Sequence, residues 1–127
     1  MGDFASKPAA VGPSEPEYLR LSTDERIRVL LHSLLTHRPE RIYLFGSAAC
    51  GEADELSDLD VVIILDSPLP FLERLAHLAR YIPGESGAVD LLAYTPAEWE
   101  QMLSAGNAFA EMVAEEGKLL YDRASQG

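Results

Sequence analysis

Apolar side chains recur every three or four positions in four segments of the chain, and that spacing is typical of amphipathic helices. The first helix is predicted to begin at Ser22, which can form a capping box with Glu25, and to end near His37. Its apolar stripe consists of Ile27, Leu30, Leu31, Leu34 and Leu35.

Three further helices follow from the same spacing. The second has the stripe Leu72, Leu75, Ala76, Ala79 and Ile82 and ends at Pro83-Gly84. The third begins after Thr95, with Pro96 at its first position and Glu98 completing a capping box. A fourth, short helix ends at Gly117. The large apolar residues of these last two helices are interpreted as core or as a docking face: Trp99, Met102, Phe109 and Met112.

Four short runs rich in β-branched, aromatic and aliphatic residues predict strands between these helices. They cover 41–45, 59–65, 88–94 and 118–121. At 127 residues the chain fits one domain, which we expect to bury a single core. We expect residues 1–18, which contain several Pro and Gly and show no periodicity, to be a disordered tail, and residues 19–123 to fold.

The chain carries 21 acidic and 10 basic residues, and the net charge of −11 disfavours nucleic-acid phosphates and anionic lipid as partners. A basic protein or a cation-escorted substrate suits that charge better. No apolar run is long enough to span a bilayer, and the first residues lack the apolar core of a signal peptide. We therefore expect a cytoplasmic protein without direct nucleic-acid or membrane binding.

Three acidic residues enter or lie in predicted strands. Asp58 and Asp60 are two positions apart and project to one face, whereas Asp90 stands among apolar neighbours in the third strand. If the two strands are neighbours, the three carboxylates converge, and a divalent cation would offset their repulsion. Hard oxygen ligands favour Mg²⁺, and two such ions can activate a hydroxyl and stabilise a leaving pyrophosphate.

Each feature also has a purely structural interpretation. A turn such as Gly46-Ser47, which could hold phosphates, is common after strands, and Asp58 with Asp60 could form an Asx turn or a solvated edge. Asp90 could lie on an exposed edge strand. The presence of the turn, the Asp58 and Asp60 pair and Asp90 in one chain favours a functional site over three separate structural features. The three histidines have no acidic partner at metal-binding spacing and receive no role: His32, His37 and His77.

Taken together, segments 44–53 (LFGSAACGEA) and 57–63 (SDLDVVI) resemble the minimal nucleotidyltransferases of the DNA polymerase beta superfamily. The family pattern has a Gly-Ser turn, a second Gly, a Ser-Asp-x-Asp pair entering a strand, and a third Asp in a later strand. The similarity runs from the first helix to Tyr121. The matching positions are Gly46, Ser47, Gly51, Ser57, Asp58, Asp60 and Asp90.

The resemblance implies an α+β fold in which a small mixed sheet is flanked by helices. It also implies two Mg²⁺ ions at Asp58, Asp60 and Asp90, and nucleotide phosphates at Gly46, Ser47 and Ser57. Many such proteins are antitoxins that attach AMP from ATP to a hydroxyl of a helical HEPN-domain RNase. That role would suit the acidic charge of this chain.

The sequence departs from the pattern at Cys50, where many family members have Arg, and at Ala48, where a larger or basic residue is frequent. Cys is a weak donor without a fixed charge, so phosphate binding should be weaker than with Arg. Two hypotheses follow: a nucleotidyltransferase acting on a partner protein, or a weakly active or inactive module that neutralises a partner by direct contact.

Overall fold

The computed structural model describes residues 21–51 and 58–126. The predicted tail, 1–18, and the predicted phosphate ligand Ser57 lie outside these ranges. The helices are α1 (Thr23–Leu34), α2 (Phe71–Ala79), α3 (Pro96–Ser104), α4 (Ala108–Glu116) and α5 (Arg123–Gln126). The strands are β1 (Arg41–Phe45), β2 (Leu59–Ile64), β3 (Val89–Tyr94) and β4 (Lys118–Asp122). Short 3-10 turns are formed by Leu35–His37, Gly46–Ala48 and Gly84–Ser86.

The four strands form one mixed sheet in the order β3-β2-β1-β4. β1 pairs antiparallel with both β2 and β4, whereas β2 and β3 run parallel. The connection from β2 to β3 carries α2, as a parallel pair requires a crossover. The predicted mixed sheet flanked by helices is therefore confirmed, and the strand boundaries agree with the sequence prediction to within one residue.

Each face of the sheet has its own apolar core because side chains alternate along every strand. On the first face, β1 and β2 contribute Ile42, Leu44, Val61 and Ile63 to a cluster with residues of α1 and α2. On the second face, the fully buried Trp99 of α3 packs with residues of α4. Trp99 is therefore core, as expected from the sequence. The partly buried residues packed on this second cluster include Met102, Phe109 and Met112.

Local polar contacts fix where the helices begin. In α1, the Ser22 hydroxyl accepts the Glu25 N–H at 3.1 Å, and the Glu25 carboxylate accepts the Ser22 N–H at 2.9 Å. Thr95 and Glu98 form the same reciprocal pair at α3, at 3.2 and 2.9 Å. Both predicted capping boxes are confirmed, and they satisfy N–H groups that have no partner within the helix.

The predicted apolar stripe of α2 is wrong in part. Leu72 is 76% exposed, and Ala76 and Ala79 also face solvent. The residues that α2 buries are Arg74 and Leu78, one turn apart on the helix. A helix turns about 100° per residue, so Leu72 lies about 200° from Arg74 and points away from the sheet.

Arg74 is tolerated in this buried position because both terminal nitrogens of its guanidinium are hydrogen-bonded, although its buried Nε has no partner among the described residues. It donates to the Ala93 carbonyl at 2.8 Å and to the Leu69 carbonyl at 2.9 Å. It also binds both oxygens of Glu98, at 2.7 and 3.2 Å, and this contact holds the pKa of the Glu98 carboxyl below its usual value. The guanidinium thus links α2, β3 and α3.

None of the helices within residues 21–51 and 58–126 is long and apolar enough to cross a membrane.

The orientation of α2, with Leu78 facing the sheet and Leu72 facing solvent, can be tested by replacing each leucine with alanine. Leu78→Ala removes a side chain that is 2% exposed and should lower the free energy of unfolding by about 2–5 kcal/mol. Leu72→Ala removes an exposed side chain and should change it by less than about 0.5 kcal/mol. Urea denaturation measures both. Equal losses would contradict this orientation of the helix.

Candidate active site

The turn after β1 is made by Gly46–Ala48 and carries the N–H groups of Ala49 and Cys50 back onto the Gly46 carbonyl, at 3.1 and 3.3 Å. Gly46 has a φ of +75°, a left-handed conformation that side chains rarely adopt. Gly51, which closes the turn, has a φ of +76°. The backbone conformation at both positions therefore favours glycine.

Gly46 is also required by what lies beside it. A Cβ added at Gly46 would overlap the Asp60 carboxylate, whereas a Cβ at Gly51 would meet no atom within 4 Å. The backbone of the turn therefore rests directly against Asp60. Ser47, in the same turn, is exposed. Gly46 thus places a bare backbone turn against an acidic group, and the exposed Ser47 hydroxyl belongs to the same turn.

Asp60 and Asp90 occupy directly paired positions of the parallel strands β2 and β3. Paired residues of neighbouring strands point to the same face, so the two carboxyl groups lie side by side, within hydrogen-bonding reach of each other. Asp60 is half-buried and Asp90 is exposed. The condition left open by the sequence, that these two strands be neighbours, is met.

Phe45 completes a row across the sheet, because it pairs with Asp60 on the antiparallel side. Its ring meets the ring of Phe109 from α4 edge-to-face at 5.4 Å between centroids. Asp60 thus has an apolar neighbour on one side and a carboxylate on the other. Phe109 was predicted to be core or part of a docking face, and its place beside the acidic row depends on how α4 crosses the sheet.

The pKa of Asp60 is raised above its ordinary value. Burial is the largest cause, followed by the charge of Asp90 and the hydrogen bond with its carboxyl, and then by the charge of Asp58. Asp58 precedes β2 and is exposed. The negative charges of Asp90 and Asp58 therefore add to burial in disfavouring the ionised form of Asp60.

The carboxylates do not form a ready-made metal cage. Among residues 21–51 and 58–126, no group of three or more His, Cys, Asp or Glu side chains comes together in a way that could hold a metal ion. What the site offers is an adjacent pair, Asp60 and Asp90, with Asp58 close by. A donor set made only of carboxylate oxygens fits a hard divalent cation such as Mg²⁺.

The histidines lie away from this site. His37 packs edge-to-face on His77 and Tyr81, at 6.1 and 4.8 Å between ring centroids. Burial and the charge of His77 lower the pKa of His37. His77 belongs to α2, on the first face of the sheet, whereas the row of Phe45, Asp60 and Asp90 lies on the second.

A family model for the nucleotidyltransferase domain matches residues 25–121, which contain the Gly46 turn and the three aspartates. The chain belongs to the nucleotidyltransferase domain family. Its family resemblance, expected from the sequence, is thereby confirmed. No curated protein matches the chain.

Two solved structures are similar to this nucleotidyltransferase domain. A candidate nucleotidyltransferase from Sulfolobus solfataricus shares 19% identity, with a TM-score of 0.52, over 89% of this chain and 95% of its own. A toxin-antitoxin structure with AMP-PNP shares 23% identity, with a TM-score of 0.44, over 80% of this chain and 74% of its own. The first supports the fold.

The close contact of Gly46 with Asp60 can be tested with two matched glycines. Alanine at either Gly46 or Gly51 must adopt a left-handed backbone, which costs about 1–2 kcal/mol. Only Gly46→Ala also displaces the Asp60 carboxylate, so it should lower the free energy of unfolding by clearly more than Gly51→Ala. Chemical denaturation of the two variants decides this, and equal losses would contradict the contact.

The raised pKa of Asp60 predicts how stability depends on pH. A carboxyl whose pKa is higher in the folded chain favours folding when protonated, so its ionisation lowers the free energy of unfolding. This loss begins above the ordinary value of about 3.9 and is complete above the raised folded value. Asp60→Asn should therefore raise the melting temperature at pH 7 and lose that advantage below about pH 4.

The control is Asp66→Asn, which also removes one negative charge, at an exposed position just beyond the other end of β2. Thermal unfolding across the pH range should show no comparable gain for this variant. A gain for Asp60→Asn that persists unchanged in acid would mean that burial of the ionised group is not its cause.

Proposed function

We propose that this nucleotidyltransferase domain moves AMP from ATP onto a hydroxyl group of a partner protein, in a reaction that requires Mg²⁺. The observation that supports this most is the alignment of Asp60 with Asp90 on adjacent parallel strands, against the bare backbone of Gly46. An acidic pair and a close-approach glycine turn at one end of a sheet suit phosphoryl chemistry, which depends on positioning and charge neutralisation.

Asp58, Asp60 and Asp90 would hold the metal ions. The charges of Asp90 and Asp58 contribute to the raised pKa of Asp60, and a bound cation would offset this repulsion. When bound, Mg²⁺ would supply the positive charge that neutralises the nucleotide phosphates and the departing pyrophosphate.

The two paired aspartates differ in what they can do. Asp60 is half-buried between Phe45 and Asp90, so it serves best as a fixed ligand. Asp90 is exposed and can reach an arriving hydroxyl, whose proton its carboxylate would accept. The hydroxyl oxygen then bonds to the α-phosphorus, and the bond from that phosphorus to the bridging oxygen of pyrophosphate breaks.

The Gly46 turn would receive the phosphates. Absence of a side chain permits close approach to the backbone, and the exposed Ser47 hydroxyl can donate to a phosphate oxygen. Cys50 is also exposed, and it brings no guanidinium to this turn. More of the neutralisation therefore falls on Mg²⁺, so the reaction should be slower than in relatives with Arg at this position.

The acceptor is proposed to be a helical HEPN-domain RNase, in a toxin-antitoxin pair. The sequence resemblance suggests this partner, and the net charge of −11 favours a basic protein surface. Electrostatic attraction of this kind speeds association and weakens with added salt.

Transfer of label from α-labelled ATP to a co-expressed neighbouring protein tests the proposal. Wild type should label that protein in Mg²⁺ and not in EDTA, and Asp60→Asn should lower the rate at least about a hundredfold because a ligand charge is lost. Asp66→Asn, at the far end of β2, should retain it. A stable, unlabelled complex with every NTP would instead support the module that acts by contact alone.

A further inference from the structure

Arg26 is a buried charge on the face of α1 that packs against the sheet. It is 2% exposed and lies one turn before Leu30, on the line of buried residues that continues to Leu34. A guanidinium stays ionised even when buried, so the fold must supply acceptors for it. Those acceptors reveal which part of the chain it holds.

The guanidinium holds the turn that leads into β3. Its Nε donates to the Ser86 carbonyl at 2.9 Å, and its Nη2 donates to the Ala88 carbonyl at 3.4 Å. Gly87, between them, has a φ of +72°, and a Cβ there would lie 3.0 Å from both Nε and Nη2. The backbone of residues 86–88 therefore curves around the guanidinium in a form that only glycine permits.

The same Ala88 carbonyl begins the pairing of the two site strands. It accepts the Leu59 N–H at 3.0 Å, just before the first paired residues of β2 and β3. Asp58 and Asp60 flank Leu59 in the sequence, and Asp90 follows Ala88 by two residues. Arg26 thus donates a hydrogen bond to the Ala88 carbonyl oxygen, the atom that also accepts the hydrogen bond from Leu59 where β2 and β3 begin to pair.

We infer that Arg26 is a positioning residue that fixes the start of β3 against β2, so that Asp90 is held beside Asp60 in the arrangement that binds metal. The role in metal binding rests on the proposed function, whereas the role in strand pairing does not. Lysine could not replace it, because one ammonium group lacks the planar set of donors that spans both carbonyls.

The matched control is Arg74, the second buried arginine described above. It is 3% exposed and also donates to a β3 carbonyl, that of Ala93, but at the opposite end of the strand. Arg26→Lys and Arg74→Lys make the same chemical change at the two ends of β3. A merely structural role predicts the same consequences at the acidic site for both variants.

The full-length variants should be compared by amide hydrogen exchange and by Mn²⁺ titration without nucleotide. Arg26→Lys should speed exchange of the Leu59 amide and weaken Mn²⁺ binding about tenfold or more, the usual effect of losing a group that orients metal ligands. Arg74→Lys should leave the Leu59 exchange rate and the Mn²⁺ affinity within about twofold of the wild-type values, a much smaller change than the tenfold expected for Arg26→Lys. This should hold even if the two variants lose the same amount of melting temperature.

Gly87→Ala approaches the same contact from the backbone and serves if Arg26→Lys does not fold. It should reproduce faster exchange at Leu59 and weaker Mn²⁺ binding. Equal exchange rates of the Leu59 amide in the Arg26 and Arg74 variants would overturn the inference. An unchanged Mn²⁺ affinity in a variant whose Leu59 amide exchanges faster would overturn it as well. If wild type binds no Mn²⁺, the proposed function fails, and exchange at Leu59 still decides the positioning role.

Discussion

The parallel pairing of β2 with β3 is the constraint on which the acidic site depends. It sets Asp60 directly opposite Asp90, and two carboxyl groups so placed repel each other whenever both are ionised. This repulsion lowers the stability of the fold at a position where apolar residues would raise it. Residues that lower stability in this way are characteristic of functional sites.

The cores on the two faces of the sheet make this register firm. β2 is central, with β1 on one side and β3 on the other, and from Val61 to Ile64 it is buried on both faces. A one-residue slip would move Val61 and Ile63 to the wrong core and turn Asp60 into the first one. The apolar part of β2 thus determines where its acidic beginning points.

The parts of the fold that could be predicted from sequence are those encoded within a few residues. Capping boxes at Ser22 and Thr95 and the run Arg41–Phe45 are of this kind. Sheet order is not local, so convergence of Asp60 with Asp90 could be stated only as a condition. Arg26 and Arg74 were missed because charge placed them outside the apolar stripes, although each precedes a buried leucine by four positions, a spacing that signals a shared face.

The central and edge positions of the two strands also explain why two identical side chains differ in their exposure to water. Asp60 belongs to the central strand, where burial is the largest cause of its raised pKa and the charge of Asp90 is the next. Asp90 belongs to the edge strand and remains exposed. Under the proposed function, the half-buried carboxylate would hold a cation and the exposed one would face the acceptor. One carboxylate of each kind results because Asp60 lies on the central strand β2 and Asp90 on the edge strand β3. The hydrogen bond from Arg26 to the Ala88 carbonyl then fixes the start of β3 and, with it, the position of Asp90.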